Sequence, residues 1–336
     1  MKLNEKIDVV KDMLANKKVA IGFSGGADST LLAYLSSQVS KDTLAITIDN
    51  HLLPINFIDN TKEIAKTYNI KHEIIDLDFY NEEEFLKNTS ERCFNCRDLM
   101  YTTIKRVARD NGFDFICDGN NISDLVNNRP GILITYRENF KTPFIKAKLT
   151  SKEIHEYLDK NNISYSKSTT CLATRIQTDT SLSKKNIERI KYCEDYILTN
   201  TNCKIVKLRN IGEFGIYEVD NPKEIMKDGK FKQINDELKS NGFKKIALNL
   251  TPIDDNEYIS LDYVGGSFKY KLPFTINLKK TLHKLGNEII FKSNKKIKLE
   301  KITIYSNGLI KGENFKSYDE ALDKFMDVLS KLRRNV

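Results

Sequence analysis

No apolar run in the 336-residue sequence is long enough to cross a bilayer, and its opening, Met1 to Lys6, lacks the apolar core of a secretory leader. Neither a membrane span nor export is therefore expected, and a cytoplasmic location is. Internal repeats and low-complexity tracts are also missing. Six cysteines are present, and without an export signal they read as thiols or metal ligands rather than disulfides. Only one Cys-x-x-Cys occurs, Cys93 to Cys96, with no second such pair and no Cys/His pair at finger spacing. A tetrahedral zinc site would lack half its ligands. The first 256 residues have little charge imbalance. Residues 257–336 carry 16 Lys and Arg against 9 Asp and Glu, nearly all of the net +8. Lysines scattered over a solvated face are the simplest source of that excess; an RNA or acidic-partner surface is the other.

The Gly-Lys-Ser/Thr ending of a Walker loop and the Gly-x-Gly-x-x-Gly of a dinucleotide loop are absent too. What stands in their place is residues 19–30, an apolar run (Val19, Ile21, Phe23) that enters a glycine turn and then a helical pattern of Leu31, Leu32 and Leu35. Gly25 and Gly26 let the backbone approach oxygens that a Cβ would block, and the helix start offers N–H groups to an anion. Ser24 and Ser29 add hydroxyl donors, and the Asp28 carboxylate is suited to magnesium. The turn is expected to hold a pyrophosphate.

Strand-like runs at 44–48, 72–77 and 113–117 alternate with helical patterns at 61–68 and 97–111, which predicts a doubly wound parallel α/β sheet. Asp49 and the pair Asp118-Gly119 close two of these strands, where such sheets bind ligands. After a polar stretch at 166–170, helices at 183–198 and 231–240 with strands at 204–208, 215–219 and 245–250 predict a small α+β domain. Short strand-like runs at 258–264, 267–272 and 297–305, closed by a helix after the capping box Ser317 to Glu320, predict a C-terminal α+β extension. The apolar stripe of that helix, Ala321, Phe325, Leu329 and Leu332, is expected to cover the local sheet. The expected domains are 1–165, 166–256 and 257–336.

Cys93 and Cys96 stand just before a helix. By themselves they fit a redox dithiol, iron–sulfur ligands or two unlinked thiols. Cys171 lies in the polar segment Thr169 to Arg175 and is expected to be exposed and chemically available. Cys117, Cys193 and Cys203 read as packing residues.

The run Ser24-Gly25-Gly26-Ala27-Asp28-Ser29 resembles the signature of the PP-loop ATP pyrophosphatases, which cleave ATP between the α and β phosphates and adenylylate a substrate oxygen. Over about residues 1–256 the chain is similar to one branch, the LarE-type ATP-dependent sulfur transferases of nickel-pincer nucleotide cofactor synthesis. The family's Arg-Cys-x-x-Cys-Lys appears as Arg92 to Arg97 and its Asp-Gly-Thr-Asn as Asp118 to Asn121. Its Tyr-Arg-Pro-Gly appears as Asn128 to Gly131. A glutamate and Ser-Pro follow as Glu138 and Thr142-Pro143, Cys-Leu-x-Ser-Arg as Cys171 to Arg175, and Arg-Val-Arg as Lys207 to Arg209. The chain departs from the pattern at Asp49-Asn50-His51, at Ile176 to Asp179 and at Lys207, where lysine lacks arginine's bidentate grip.

The resemblance implies adenylylation of a carboxylate of a pyridinium biscarboxylic acid mononucleotide, then displacement of AMP by sulfur to give a thiocarboxylate. It implies ATP contacts at Ser24, Gly25, Gly26, Asp28, Ser29, Asp49, Asp118, Gly119 and Arg129, with Mg²⁺ on Asp28. Lys207 and Arg209, which alternate on a strand and so share a face, would grip the substrate phosphate, with Arg175 near the reacting carboxylate. Sulfur would come from a [4Fe-4S] cluster on Cys93, Cys96 and Cys171, or from Cys171 itself as a sacrificial donor. The expected partners are the small nucleotide substrate and a sulfide or persulfide source, in a homo-oligomer without membrane; nucleic acid is the less favoured partner. A tRNA thiolase of the same superfamily and a nucleotide-binding regulator without turnover are the alternatives. The resemblance gives no account of residues 257–336.

Overall fold

The computed structural model describes all residues except 128, 130, 168, 169, 254–258 and 336. Strands β1 (Lys18–Gly22), β2 (Asp42–Asp49), β3 (Lys71–Asp76) and β4 (Phe115–Cys117) pair in the order β3-β2-β1-β4, all parallel. Successive strand residues face opposite sides, and β1 and β2 are apolar on both. Val19, Ile21 and Ala45 enter one core with the helices Leu3–Leu14, Ala27–Val39, Phe57–Thr67 and Ser151–Lys160. Ala20, Leu44, Ile46 and Ile48 enter a second core with the helix Arg92–Asp110. Helices thus cover both faces, as the alternating pattern predicts.

The hairpin of β5 (Val206–Ile211) and β6 (Phe214–Val219) is antiparallel, and β7 (Lys245–Leu248) joins β6 in parallel. Helices Lys184–Asn200 and Lys230–Ser240 share its core through Ile190, Cys193 and Leu238. That core also takes Leu52, Phe79 and Phe85 from the loops after β2 and β3. The small layer therefore sits against the carboxyl edge of the parallel sheet.

Strands β8 (Asp262–Val264), β9 (Ser267–Lys271), β10 (Phe291–Lys292), β11 (Lys296–Lys298), β12 (Ile302–Tyr305) and β13 (Leu309–Gly312) form an antiparallel sheet, ordered β10-β11-β12-β13-β9-β8. The stretch 297–305, expected as one strand, is a hairpin. Buried Ile297 and Leu299 alternate with exposed neighbours, then the next buried residues are Ile302 and Ile304. A step of three where a strand needs two marks the turn. The helix Tyr318–Lys331 starts at Ser317, whose hydroxyl accepts the Glu320 N–H at 3.1 Å. Its stripe of Ala321, Phe325, Leu329 and Leu332 does pack on this sheet, together with Ile122, Leu125, Val126, Ile132 and Ile145 of the first unit. The domain boundary expected after residue 256 lies outside the described residues. Among those described, no helix is long and apolar enough to cross a membrane.

Candidate active site

A cavity of about 780 Å³, within the range of nucleotide-sized pockets, opens beyond the carboxyl ends of β1, β2 and β4. Its floor is the turn Ser24 to Gly26 and the start of the helix Ala27–Val39. Gly25 sits at φ +70°, where a Cβ is strained. Its carbonyl accepts the Thr30 hydroxyl at 3.0 Å and the Ser166 N–H at 2.8 Å. The Ser24 and Ser29 hydroxyls lie 3.1 Å apart, and Ser29 Oγ accepts the Ser24 N–H at 3.2 Å. These bonds pin the turn from within. The first N–H groups of the helix, which have no intrahelical acceptor, belong to residues lining the cavity.

Asp28 also lines the cavity, and Asn121 donates its amide to Asp28 Oδ1 at 2.9 Å. Asn121 is the N-cap of the helix Ile122–Val126, where Asp124 accepts the Asn121 N–H at 2.8 Å and pairs with Arg129. Burial, then the charge of Asp124, pushes the Asp28 carboxyl up to about 7. A carboxylate so destabilised gains from a cation. Among the described residues no three His, Cys, Asp or Glu side chains are arranged to hold a metal ion. One or two carboxylates are what magnesium needs when phosphates and water supply its other ligands.

Asp118 is buried beside this pair. Its carboxylate accepts from Tyr101 Oη at 2.9 Å, Thr135 Oγ1 at 2.9 Å, Arg97 at 3.2 Å and the Asn120 N–H at 3.1 Å. Burial pushes its carboxyl up, against the pull of Arg97. Gly119 then runs along the phosphate turn: a Cβ there would lie 3.0 Å from Asp28 Cβ and 3.1 Å from the Ser29 nitrogen. Asp49 is placed differently from expectation. It accepts the His51 N–H at 3.0 Å and lies outside the cavity lining, whereas its neighbours Thr47 and Ile48 lie within it.

The thiols gather at the other end. Cys96 lines the cavity, Cys93 is exposed one helical turn before it, and Cys171 precedes the short turn Leu172–Arg175. Burial pushes the Cys96 thiol up, reinforced by the proximity of Cys171 and Cys93. Burial likewise raises Cys171, to about 11, with Arg92 and Arg175 among the groups pulling it down. The three sulfurs thus share one neighbourhood. Cys171, expected to be exposed, is partly buried, because Leu172, Ala173 and Ile176 fold into the core of the small layer and the Leu172 N–H reaches the Leu52 carbonyl at 2.9 Å. Cys117, Cys193 and Cys203 are buried in cores, as their surroundings in the sequence predict.

Of the basic residues, Lys207 on β5 lines the cavity and Arg209 does not. Arg209 instead pairs with Glu218 at 3.0 Å and donates to the Thr174 carbonyl at 3.0 Å, tying β5 to the Cys171 turn. Arg175 is 1% exposed and also outside the lining. Its Nε meets Glu194 at 2.6 Å and its Nη1 meets Thr170 and Thr174 at 2.6 and 2.8 Å. Glu194 in turn accepts the Leu208 N–H at 2.7 Å. Arg175 is placed to hold the Cys171 turn rather than to touch a substrate. Arg97 and Asn121 end two of the motifs that carry the resemblance but were given no role, and Tyr101, Asp124, Thr135 and Glu194 lie outside those motifs. Three had a readable signal. Asn121 and Asp124 have capping spacing before apolar residues. Glu194 falls among Ile190, Cys193 and Ile197 on an apolar helix stripe, where a carboxylate demands a partner.

Residues 1–136 match the family model described as the PP-loop domain. The chain is 29% identical over 241 residues to an uncharacterised protein of Methanocaldococcus jannaschii, covering 72% of this chain and 92% of that one. It is 22% identical over 252 residues to the pyridinium-3,5-bisthiocarboxylic acid mononucleotide synthase of Lactiplantibacillus plantarum, covering 73% and 88%. Similarity to a tRNA-specific 2-thiouridylase of Clostridioides difficile is 24% over 128 residues, 32% of this chain and 36% of the enzyme.

Proposed function

We propose, from the PP-loop domain and the thiols that share its cavity, an ATP-dependent sulfur transferase acting on a carboxylate of pyridinium biscarboxylic acid mononucleotide. The observation that carries this reading is that Cys96, with Cys171 and Cys93 beside it, borders the same cavity as Ser24, Asp28 and Lys207. A pyrophosphate-binding turn alone fits any adenylylating enzyme; sulfur chemistry needs thiols within reach of the activated carbon.

A carboxylate is a poor electrophile because its oxygen leaves badly. In the first step a substrate carboxylate oxygen attacks the α-phosphorus, and the bond to pyrophosphate breaks. Ser24, Gly26 and the helix N–H groups hold the departing pyrophosphate, and Asp28, with Asp124 beside it, would hold magnesium, which would neutralise phosphate charge. Asp118-Gly119 and Arg129 complete the nucleotide side. Lys207 receives the substrate phosphate, so that the carboxylate points toward the thiols. A sulfide-equivalent nucleophile then attacks the acyl carbon, and AMP leaves with the electrons of the broken C–O bond.

Three thiols without histidine or carboxylate form a soft donor set suited to iron–sulfur ligation. Cys93, Cys96 and Cys171, which are not arranged in this structure to hold a metal ion, would have to draw together to hold a [4Fe-4S] cluster, which would supply a site for carrying sulfide. Arg175, through Glu194 and Thr170, fixes the turn that presents Cys171.

The chain, reconstituted anaerobically with iron and sulfide, is incubated with ATP, Mg²⁺ and the mononucleotide. Thiocarboxylate by mass spectrometry, with AMP and pyrophosphate formed in step, is the expected result. AMP formed with tRNA and not with the mononucleotide would move the reading to RNA thiolation. A protein that binds no iron, with dehydroalanine at position 171 after one turnover, would replace the cluster by a sacrificial Cys171.

A further inference from the structure

We propose that the open face of the C-terminal sheet binds single-stranded RNA. Strand register sets one row of side chains across all six strands: Phe291 opposite Lys298, Lys298 opposite Thr303, Thr303 opposite Lys311, Lys311 opposite Lys269, and Lys269 opposite Asp262. Beside it runs a second row, with Lys296 opposite Tyr305 and Leu309 opposite Lys271. Phe268, Ile297, Ile304 and Ile310 of the same strands point the other way, into the core under the helices. Five of the sixteen basic side chains of this segment are thus gathered on the face away from the helices.

Four acids of the segment are on the helical side and paired, whereas Asp262 stands in the row itself, opposite Lys269. Glu288 meets Lys331 at 2.6 Å, Glu320 meets Lys301 at 2.6 Å, Asp327 meets Lys331 at 2.9 Å, and Asp323 meets Lys148 of the first unit at 3.1 Å. Among the described residues no carboxylate lies within ion-pair distance of Lys269, Lys271, Lys296, Lys298 or Lys311. Lys311 and Lys269 stand directly opposite, a like-charge cross-strand pair that costs stability unless an anion lies over it.

Aromatic rings interleave with these charges. Lys311 Nζ lies 5.7 Å from the Tyr305 ring centre, and Lys296 Nζ lies 5.8 Å from that of Phe291, which is 49% exposed. From Lys298 to Lys269 is three strand spacings, about 14 Å, the scale of a few nucleotides. Phosphates on lysines with bases on rings is how sheet platforms hold single strands. An acidic peptide would use the lysines and leave the rings idle. A duplex has no unstacked bases to offer; RNA loops and ends do.

The test is anisotropy of a labelled 12-residue oligouridine RNA with the full chain, without ATP or acceptor, so its outcome is separate from that of the thiocarboxylate assay. Binding is expected to weaken about a hundredfold between 50 and 200 mM KCl, as about five phosphate contacts on a single strand require. Lys269→Ala/Lys298→Ala/Lys311→Ala should weaken it at least tenfold at 50 mM and flatten the salt dependence. Tyr305→Ala should weaken it about fivefold or more with that dependence unchanged. Lys298→Glu alone should act in the same direction as the triple variant, and all these side chains lie off the core. A control triple on the middle layer, Lys223→Ala/Lys232→Ala/Lys239→Ala, should change binding less than twofold. The proposal is overturned by no binding at 50 mM, or by equal loss in the control. It is also overturned by equal competition from a polyglutamate peptide or duplex RNA, or by full retention in Tyr305→Ala.

Discussion

The two ends of the cavity meet opposite demands with opposite surroundings. At the phosphate end Ser24, Ser29 and Thr30 are hydrogen-bonded to one another or to the turn, Asn121 to Asp28, and Asp118 to Tyr101 and Thr135, so these groups are fixed before any ligand arrives. At the thiol end Cys96 and Cys171 lie against Leu99, Met100 and Leu172, and burial keeps their protons on. A preorganised polar cradle stabilises charge without reorganising, whereas an apolar pocket holds sulfur as a thiol until a positive group or metal takes the proton's place. On the proposed reading, activation of a carboxylate and delivery of sulfur are separable functions joined by one space. Variants at one end should spare the other.

The largest expected effect breaks one end only. Asp28→Ala should lower AMP and pyrophosphate formation at least a hundredfold, since the carboxylate proposed to hold magnesium is gone. Cys171→Ala should abolish thiocarboxylate while ATP–pyrophosphate exchange with the bound acceptor stays within about threefold of wild type. Loss of exchange in Cys171→Ala would show that the two ends are one machine.

Next in size is the support of the thiol end. Arg175 and Glu194 are a buried pair with side-chain exposures of 0% and 6%, and removing one partner leaves an uncompensated charge. Arg175→Leu or Glu194→Leu alone should cost about 3–5 kcal/mol in urea unfolding, and the double variant less than the sum. If both singles unfold like wild type, the pair does not carry the turn.

How much of this was legible in the sequence follows from how local each feature is. The phosphate turn was readable because strand, Ser-Gly-Gly-x-Asp-Ser and helix are contiguous, and β1 and β2 followed from apolar runs buried on both faces. Arg175 was readable as a residue of interest but not in its role, since its partner Glu194 lies 19 residues on. Asp49 was drawn to the nucleotide by its place at a strand end, yet the backbone N–H of His51 takes its carboxylate. The five lysines on the open face of the C-terminal sheet were countable but not assignable to a face, because the register that aligns Lys298, Lys311 and Lys269 joins strands up to 42 residues apart. The phase slip between Leu299 and Ile302 was the one local sign of the hairpin that creates that register.

A smaller change sharpens the phosphate end. Gly119→Ala places a methyl 3.0 to 3.1 Å from Asp28 Cβ and the Ser29 nitrogen, so the helix start must shift by a few tenths of an ångström. Misplacement of that order should raise the ATP KM about tenfold and leave the thiols untouched. An unchanged KM would mean that the turn yields freely and is not preorganised.

The smallest effect is a pH dependence with a fixed sign. Asp28 titrates at about 7 in the fold against an ordinary 3.8, so between those values the folded chain holds a proton that the unfolded chain has released. Stability of the metal-free protein therefore falls as pH rises from about 4 to 7 and then levels, the raised-carboxyl case. Asp28→Asn removes the titrating group, so its Tm should match wild type near pH 4 and exceed it by a few degrees at pH 8. Mg²⁺ with ATP should reverse that order at pH 8 by giving the wild-type carboxylate its cation, and should do so less at pH 6, where the ion must displace a proton. Parallel melting curves for the two proteins across this range would place Asp28 in an ordinary solvated setting. The phosphate end would then lose the buried charge that distinguishes it from the thiol end.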